Sequence, residues 1–175
     1  MELYIDSKRI YEGKILSVRV DTVEISKNGR HAKREVIEHG SAVAVLPIDG
    51  DGNLLLVKQF RYPVQAELIE IPAGLMEKGE EPLAAAQREL REETGYSAAK
   101  WTALPPIFST PGFSDEKLFM FIAEDLTWMP LSQDEDEDIS LVRRSQADAK
   151  KMLTSTDVQD AKTIAALAVY FATRA

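Results

Sequence analysis

The chain has 175 residues, none of them cysteine, and only two histidines, His31 and His39. The first absence removes disulfides, zinc–thiolate centres and thiol nucleophiles. Neither histidine has a nearby partner pattern for metal or nucleophile chemistry, and both fall at turns or strand ends with structural roles expected. Positive charge is also short. Lys and Arg number 21 against 29 Asp and Glu, a net charge of -8, and this excludes the broad basic surface that a nucleic-acid polymer requires. Long apolar runs are missing as well: the stretch Ala42 to Ile48 is far too short to cross a bilayer. The opening Met-Glu-Leu-Tyr-Ile-Asp has no charged-then-apolar leader. No membrane partner and a cytoplasmic location are the expectations. Serine nucleophiles fare no better, because Ser109 and Ser114 lack the strand-to-helix elbow.

What is present is acid, concentrated in one place. Between Gly74 and Tyr96 six carboxylates (Glu77, Glu80, Glu81, Glu89, Glu92, Glu93) face three bases (Lys78, Arg88, Arg91). Pro82 suits a first helical position and Gly95 a left-handed end, so the segment reads as a helix over about residues 81 to 94. Glu89 and Glu93 then stand one turn apart on one side, a like-charge spacing that costs roughly 0.2–0.5 kcal/mol per pair. A surface ion pair between Arg88 and Glu92 is the ordinary reading of such a helix. Holding a cation is the alternative that would explain the penalty. Leu83, Ala86 and Leu90 are expected to form the apolar stripe, with Glu89, Glu92 and Glu93 on a different side. Ile71-Pro72-Ala73-Gly74-Leu75 closes an expected strand (Glu67 to Ile71) in a bend where Gly74 is free to take positive φ.

Elsewhere, strands are expected near Ile15–Ser26, Arg34–Glu38, Ala42–Ile48, Leu54–Gln59, Trp101–Leu104, Lys117–Ala123 and Ile139–Val142, with turns at 27–30 and 49–52. Helices are expected near Gln146–Leu153 and Val158–Thr173, the last with Ile164, Leu167, Ala168 and Phe171 facing the core. With 45% hydrophobic residues the chain can bury a core as one domain plus a small appendage. Residues 1 to 40 form that β appendage, too small to stand alone, and residues 41 to 175 the main domain.

The order of glycine, five residues, Glu80, seven residues, Arg88-Glu89-Leu90, one residue, Glu92-Glu93, one residue, Gly95 resembles the signature of the Nudix hydrolases at every polar and glycine position. Tyr96 is the one departure, at a packing position where that signature prefers an aliphatic residue. The resemblance implies an α/β/α sandwich with mixed β-sheets and hydrolysis of a nucleoside diphosphate linked to another group. It also implies Mg2+ as cofactor, with Mn2+ the alternative. The Ala73 carbonyl, Glu89 and Glu93 are the implied metal ligands, Glu92 another functional glutamate, and Arg88 the group that orients these carboxylates. Glu80 fits a structural or capping role as readily as a metal one.

Flanking segments Lys33-Arg34-Glu35-Val36-Ile37-Glu38, Val57 to Pro63 and Ser109-Thr110-Pro111-Gly112-Phe113 extend the resemblance to the branch that cleaves ADP-ribose. In that branch the N-terminal unit pairs two subunits, so a homodimer is implied. Substrate contacts are then implied at Arg34, Arg61, Gly112 and Glu116. In the acidic run 134–138, Glu135 is the implied base and Glu137 a further metal ligand. Phe60, Tyr62 and Phe113 are expected to anchor core or loops. The same chemistry on ADP-glucose or UDP-glucose, and a nucleotide-sugar sensor that binds without cleaving, are the competing readings.

Overall fold

The computed structural model describes residues 1–132 and 138–174. By its internal contacts the chain groups into two compact units: Met1–Ser41 with Phe108–Lys117, and Ala42–Ile107 with Leu118–Ala175.

The first unit is an antiparallel meander of β1 (Glu2–Glu12), β2 (Leu16–Ile25) and β3 (Arg30–His39). The expected turn at 27–30 joins β2 to β3, and Asn28 and Gly29 both donate backbone N–H groups to the Ile25 carbonyl. Strand β1 is invisible to an alternation test because its register with β2 shifts twice, between Tyr4 and Asp6 and between Arg9 and Tyr11. Each irregularity flips the side chains that follow and erases the period of two. The segment 108–117 joins this unit through the backbone. Ile37 N–H donates to Phe113 O at 2.7 Å, Asp115 N–H donates to Ile37 O at 3.2 Å, and the Asp115 carboxylate accepts the His39 N–H at 2.8 Å. Leu3, Tyr4, Ile5, Ile10 and Tyr11 of β1 are all exposed.

The second unit is the expected sandwich. It continues with β4 (Ala42–Pro47), β5 (Leu54–Arg61), β6 (Ala66–Glu70), β7 (Ala73–Leu75), α1 (Pro82–Thr94), β8 (Tyr96–Ala103), β9 (Ile107–Phe108), β10 (Lys117–Trp128), β11 (Ile139–Arg144), α2 (Gln146–Met152) and α3 (Ala161–Thr173). One sheet runs β7-β4-β10-β8 with β9 also on β10, and a second runs β11-β5-β6. The first is mixed, β4 lying parallel to β10 and antiparallel to β7. Every residue of β4 is buried, which explains why Ala42 to Ile48 is uniformly apolar rather than alternating. Val43 and Val45 pack with Ala85, Ala86 and Leu90 of α1. Ala44 and Leu46 pack on the other face with Ala149, Met152, Ala166, Leu167 and Tyr170 of α2 and α3.

Two helical stripes differ from expectation. In α1 the buried residues are Ala85, Ala86, Glu89, Leu90, Glu93 and Thr94, with Leu83 41% exposed. The glutamates therefore lie on the buried side, not apart from it. Hydrophobicity misplaces the arc because a buried site, not oil, faces half of it. In α3 the buried set is Thr163, Ala166, Leu167 and Tyr170, while Ile164 is exposed.

Thr163 shows why a polar residue displaces an apolar one. Its hydroxyl accepts the Ile71 N–H at 2.8 Å and donates to the Asp160 carboxylate at 2.5 Å, and Asp160 also caps α3 through the Thr163 N–H at 2.9 Å. The start of α3 is thereby fastened to the chain just before Pro72-Ala73-Gly74. Thr163→Val keeps the shape but strands a buried N–H, so a loss of about 1–3 kcal/mol is expected. Urea denaturation of the two proteins measures it.

Candidate active site

Glu89 and Glu93 converge on the short strand β7. Gly74 is there for space rather than for a special backbone angle. Its φ is not positive, contrary to expectation, since the positive-φ glycines are Gly29, Gly52, Gly79 and Gly95. A methyl group built on Gly74 would sit 2.1 Å from Glu89 Oε1, 2.2 Å from its Cδ and 2.3 Å from its Oε2. The carboxylate fills the volume that any other residue's Cβ would take. Next door, the Ala73 N–H donates to Glu93 Oε2 at 3.0 Å. Two carboxylates of one helix face thus address two consecutive residues of one strand, and both are nearly buried, Glu89 8% and Glu93 5% exposed.

Arg88 gathers Glu80, Glu89 and Glu92. Its Nε and Nη2 donate to the two Glu80 oxygens at 3.1 and 3.0 Å, its Nη1 to Glu89 Oε1 at 2.6 Å and to Glu92 Oε2 at 2.9 Å, and Nη2 also to the Leu75 carbonyl at 3.1 Å. The planar five-donor fork of a guanidinium can hold several carboxylates at once in this way. The pair with Glu80, then Glu89 and Glu92, raises the Arg88 pKa, so it is charged at any working pH. Glu80 is held below the ordinary carboxylate range, first by its Arg88 hydrogen bond. It also accepts the Glu77 N–H at 2.9 Å, which ties the loop before α1 to the helix.

The end of α1 follows its sequence. Gly95 is left-handed at φ 77, and its N–H returns to the Arg91 carbonyl at 3.1 Å. A Cβ at Gly95 would also strike the Trp128 ring at 2.4 Å. Tyr96, the departure from the family signature, packs edge-on against that same indole with centroids 5.2 Å apart. The aromatic residue substitutes for an aliphatic one by meeting a large partner.

Arg61 lies at the end of β5, where its Nε and Nη2 donate to Glu70 Oε1 and Oε2 at 2.7 and 2.8 Å. Glu70, which sequence reasoning did not single out, is 1% exposed and is also bound by Lys162. Burial pushes its carboxyl up, but the Arg61 and Lys162 contacts outweigh this and hold it below the ordinary value. Glu70 raises the Arg61 pKa by hydrogen bonding, and the Glu93 and Asp160 charges add electrostatic attraction. A carboxylate two residues before Pro72 was the available signal. Alternation alone cannot tell a buried acid from a solvated one.

Arg34, Gly112 and Glu116 belong to the N-terminal unit. Arg34 and Gly112 line one groove of about 370 Å3, with Glu2, Glu35, Val36 and residues 111 to 115. The Arg34 guanidinium forks onto the Glu2 carboxylate. Glu116 stands 3.5 Å from the His39 ring, giving that histidine an acidic neighbour where none was expected. Phe60, Tyr62 and Phe113 are half or more exposed and so do not anchor the core. The expected base Glu135 and metal ligand Glu137 lie outside the described residues.

Among the described residues no three acidic or imidazole side chains stand together as a ready-made cation cage. The donor set of two glutamates beside a strand backbone is all oxygen. It fits a hard divalent ion that takes only a few carboxylates and completes its shell with water and phosphate oxygens.

Comparison with known proteins agrees. The profile of the NUDIX domain matches residues 38–167. An ADP-ribose pyrophosphatase of Bacillus subtilis (strain 168) is 43% identical over 168 residues, 95% of this chain and 90% of the relative. A methanol dehydrogenase activator of Bacillus methanolicus is 36% identical with the same coverage. An ADP-ribose pyrophosphatase of Mycobacterium tuberculosis (strain ATCC 25618 / H37Rv) is 35% identical over 97% of this chain and 83% of its own length. A crystal structure of an ADP compounds hydrolase superposes with a TM-score of 0.86 at 27% identity, covering 95% of this chain and 90% of the other. The glutamates seated on Ala73 and Gly74 are thus part of a whole-chain likeness, and the chain belongs to the Nudix hydrolase family.

Proposed function

We propose that the protein hydrolyses the pyrophosphate bond of nucleoside diphosphate sugars, with ADP-ribose as the preferred substrate and AMP and ribose 5-phosphate as products. The observation that carries this reading is the seating of Glu89 and Glu93 on the Ala73–Gly74 backbone beside Arg61. The named activities of two relatives with high coverage support the substrate class.

The Ala73 carbonyl, Glu89 and Glu93, with Glu137, would hold Mg2+. When bound, that ion supplies positive charge against the diphosphate and favours ionisation of water. Arg61 binds phosphate oxygens with the fork edge that Glu70 leaves open. Arg88 keeps Glu89 and Glu92 in register, so the carboxylates need no reorganisation as charge moves. Glu135 accepts the proton of the attacking water. The water oxygen bonds to one phosphorus while the bridging oxygen leaves with the other, the result expected of substitution driven by placement and charge rather than by covalent catalysis. Arg34, Gly112 and Glu116 are the proposed further contacts to the nucleotide sugar. The exposed apolar residues of β1 support a homodimer, because an unpartnered surface of this kind favours association.

Incubation with ADP-ribose, ADP-glucose and UDP-glucose in 18O-labelled water, with and without Mg2+, tests the reading. AMP formation that needs Mg2+ and is fastest from ADP-ribose is expected. Preference for another sugar moves the substrate but keeps the chemistry, and tight binding with no AMP replaces the enzyme by a sensor.

A further inference from the structure

Glu70 makes two commitments, and the second is unexplained by catalysis so far. One is the fork with Arg61. The other is Lys162, at the second position of α3, whose ammonium reaches the same Oε2 that Arg61 Nη2 holds. Lys162 is itself largely buried, its side chain 12% exposed, and it also donates to Asp160 Oδ1 at 3.0 Å. The Arg61 fork already gives each Glu70 oxygen a donor, so Lys162 adds a third donor and a second positive charge to one carboxylate. Burying a lysine beside it carries a desolvation cost that a packing role does not require.

The physical effect of Lys162 is on charge. Paired with Glu70 alone, the Arg61 guanidinium would be locally neutral and a weak ligand for an anion. Lys162 takes up part of the Glu70 charge, so Arg61 keeps its positive potential while Glu70 fixes its plane. Nε and Nη2 are committed to Glu70, and Nη1 has no partner among the described residues. Asp160 works in the opposite sense by drawing on the Lys162 charge, partly offset by the α3 N-terminus it caps.

We infer that Lys162 is a positioning residue, acting through the buried carboxylate of Glu70 to keep the Arg61 guanidinium both oriented and electropositive toward the substrate diphosphate. The inference rests on the proposed reading of Arg61 as a phosphate contact.

Steady-state kinetics with ADP-ribose and Mg2+ on single and double variants test it. Lys162→Met should raise KM about tenfold with kcat within about twofold, as expected for a loss of ground-state and transition-state binding alike. Lys162→Arg should restore most of the affinity. Asp160→Asn keeps a helix cap but removes a negative charge, and should lower KM. A purely structural role would move both single variants in the same direction, and that result overturns the proposal. Should Lys162→Met fail to fold, the sign of the Asp160→Asn effect carries the same decision. Arg61→Met separates the two levels: if it leaves KM unchanged, Arg61 is not a phosphate ligand and both readings fall. If it raises KM but Lys162→Met costs the same again in that background, Arg61 stands and the Lys162 proposal is overturned.

Discussion

Glu93→Gln should reduce kcat by roughly a thousandfold, about 4 kcal/mol of barrier, with little loss of fold. The two consequences separate because the side chain has two jobs. As a hydrogen-bond acceptor for the Ala73 N–H it can be replaced, since an amide oxygen fills the same position 3.0 Å away. As a charge it cannot. A neutral amide in a site that is 95% shielded from solvent is even less costly to bury than a carboxylate, so thermal unfolding should stay close to the parent. Divalent-ion affinity, followed by calorimetric titration, should fall along with turnover. Retention of full Mg2+-dependent activity would remove Glu93 from the metal set and with it the assignment of the site.

Gly74→Ala is expected to have the second largest effect, by a different route. The added methyl would overlap the Glu89 carboxylate at 2.1–2.3 Å, a distance that no contact tolerates. Glu89 is the end of a flexible side chain, so it rather than strand β7 should give way. It cannot move freely, however. Its Oε1 is held by Arg88 at 2.6 Å, and that guanidinium is tied in turn to Glu80, Glu92 and the Leu75 carbonyl. The displacement should spread through the Arg88 cluster, costing about 1–3 kcal/mol of stability, as overpacking does, but at least a hundredfold in kcat. The expected signature is activity lost well beyond stability, measured by kinetics alongside urea unfolding. An active Gly74→Ala protein would mean that Glu89 does not need its place against the strand.

Gly74 also marks where reading the sequence reaches its limit. Its spacing to Glu80 and to the Arg88–Gly95 run identifies the motif, but a glycine in a string does not disclose whether it provides a backbone angle or an empty volume. At Gly95 the angle is read correctly from the end of a helical pattern, while the volume taken by Trp128 comes from a residue distant in sequence. Arg88 is a favourable case. Its partner Glu92 stands four residues on, a spacing that helical geometry anticipates, whereas Glu80 reaches it from the loop before α1 and Glu89 is its chain neighbour.

Arg61, Glu70 and Lys162 are the unfavourable case. Glu70 and Lys162 are 92 residues apart in the chain, and nothing in either neighbourhood indicates that the two meet. The same applies to the loop that runs beside Ile37, and to β1, whose irregular register hides a strand from any test of periodicity.

Local spacing therefore determined the acidic helix, its ends, the motif and with it the family, because i to i+4 neighbours are fixed by the backbone helix itself. Tertiary structure alone decided that Glu89 and Glu93 are buried rather than solvated, that Gly74 is a vacancy for a carboxylate, and that a lysine of the last helix reaches a carboxylate bound to an arginine of the fifth strand. Burial and long-range charge pairing depend on which surfaces the fold brings together, and that information is distributed over the whole chain rather than held in any one segment.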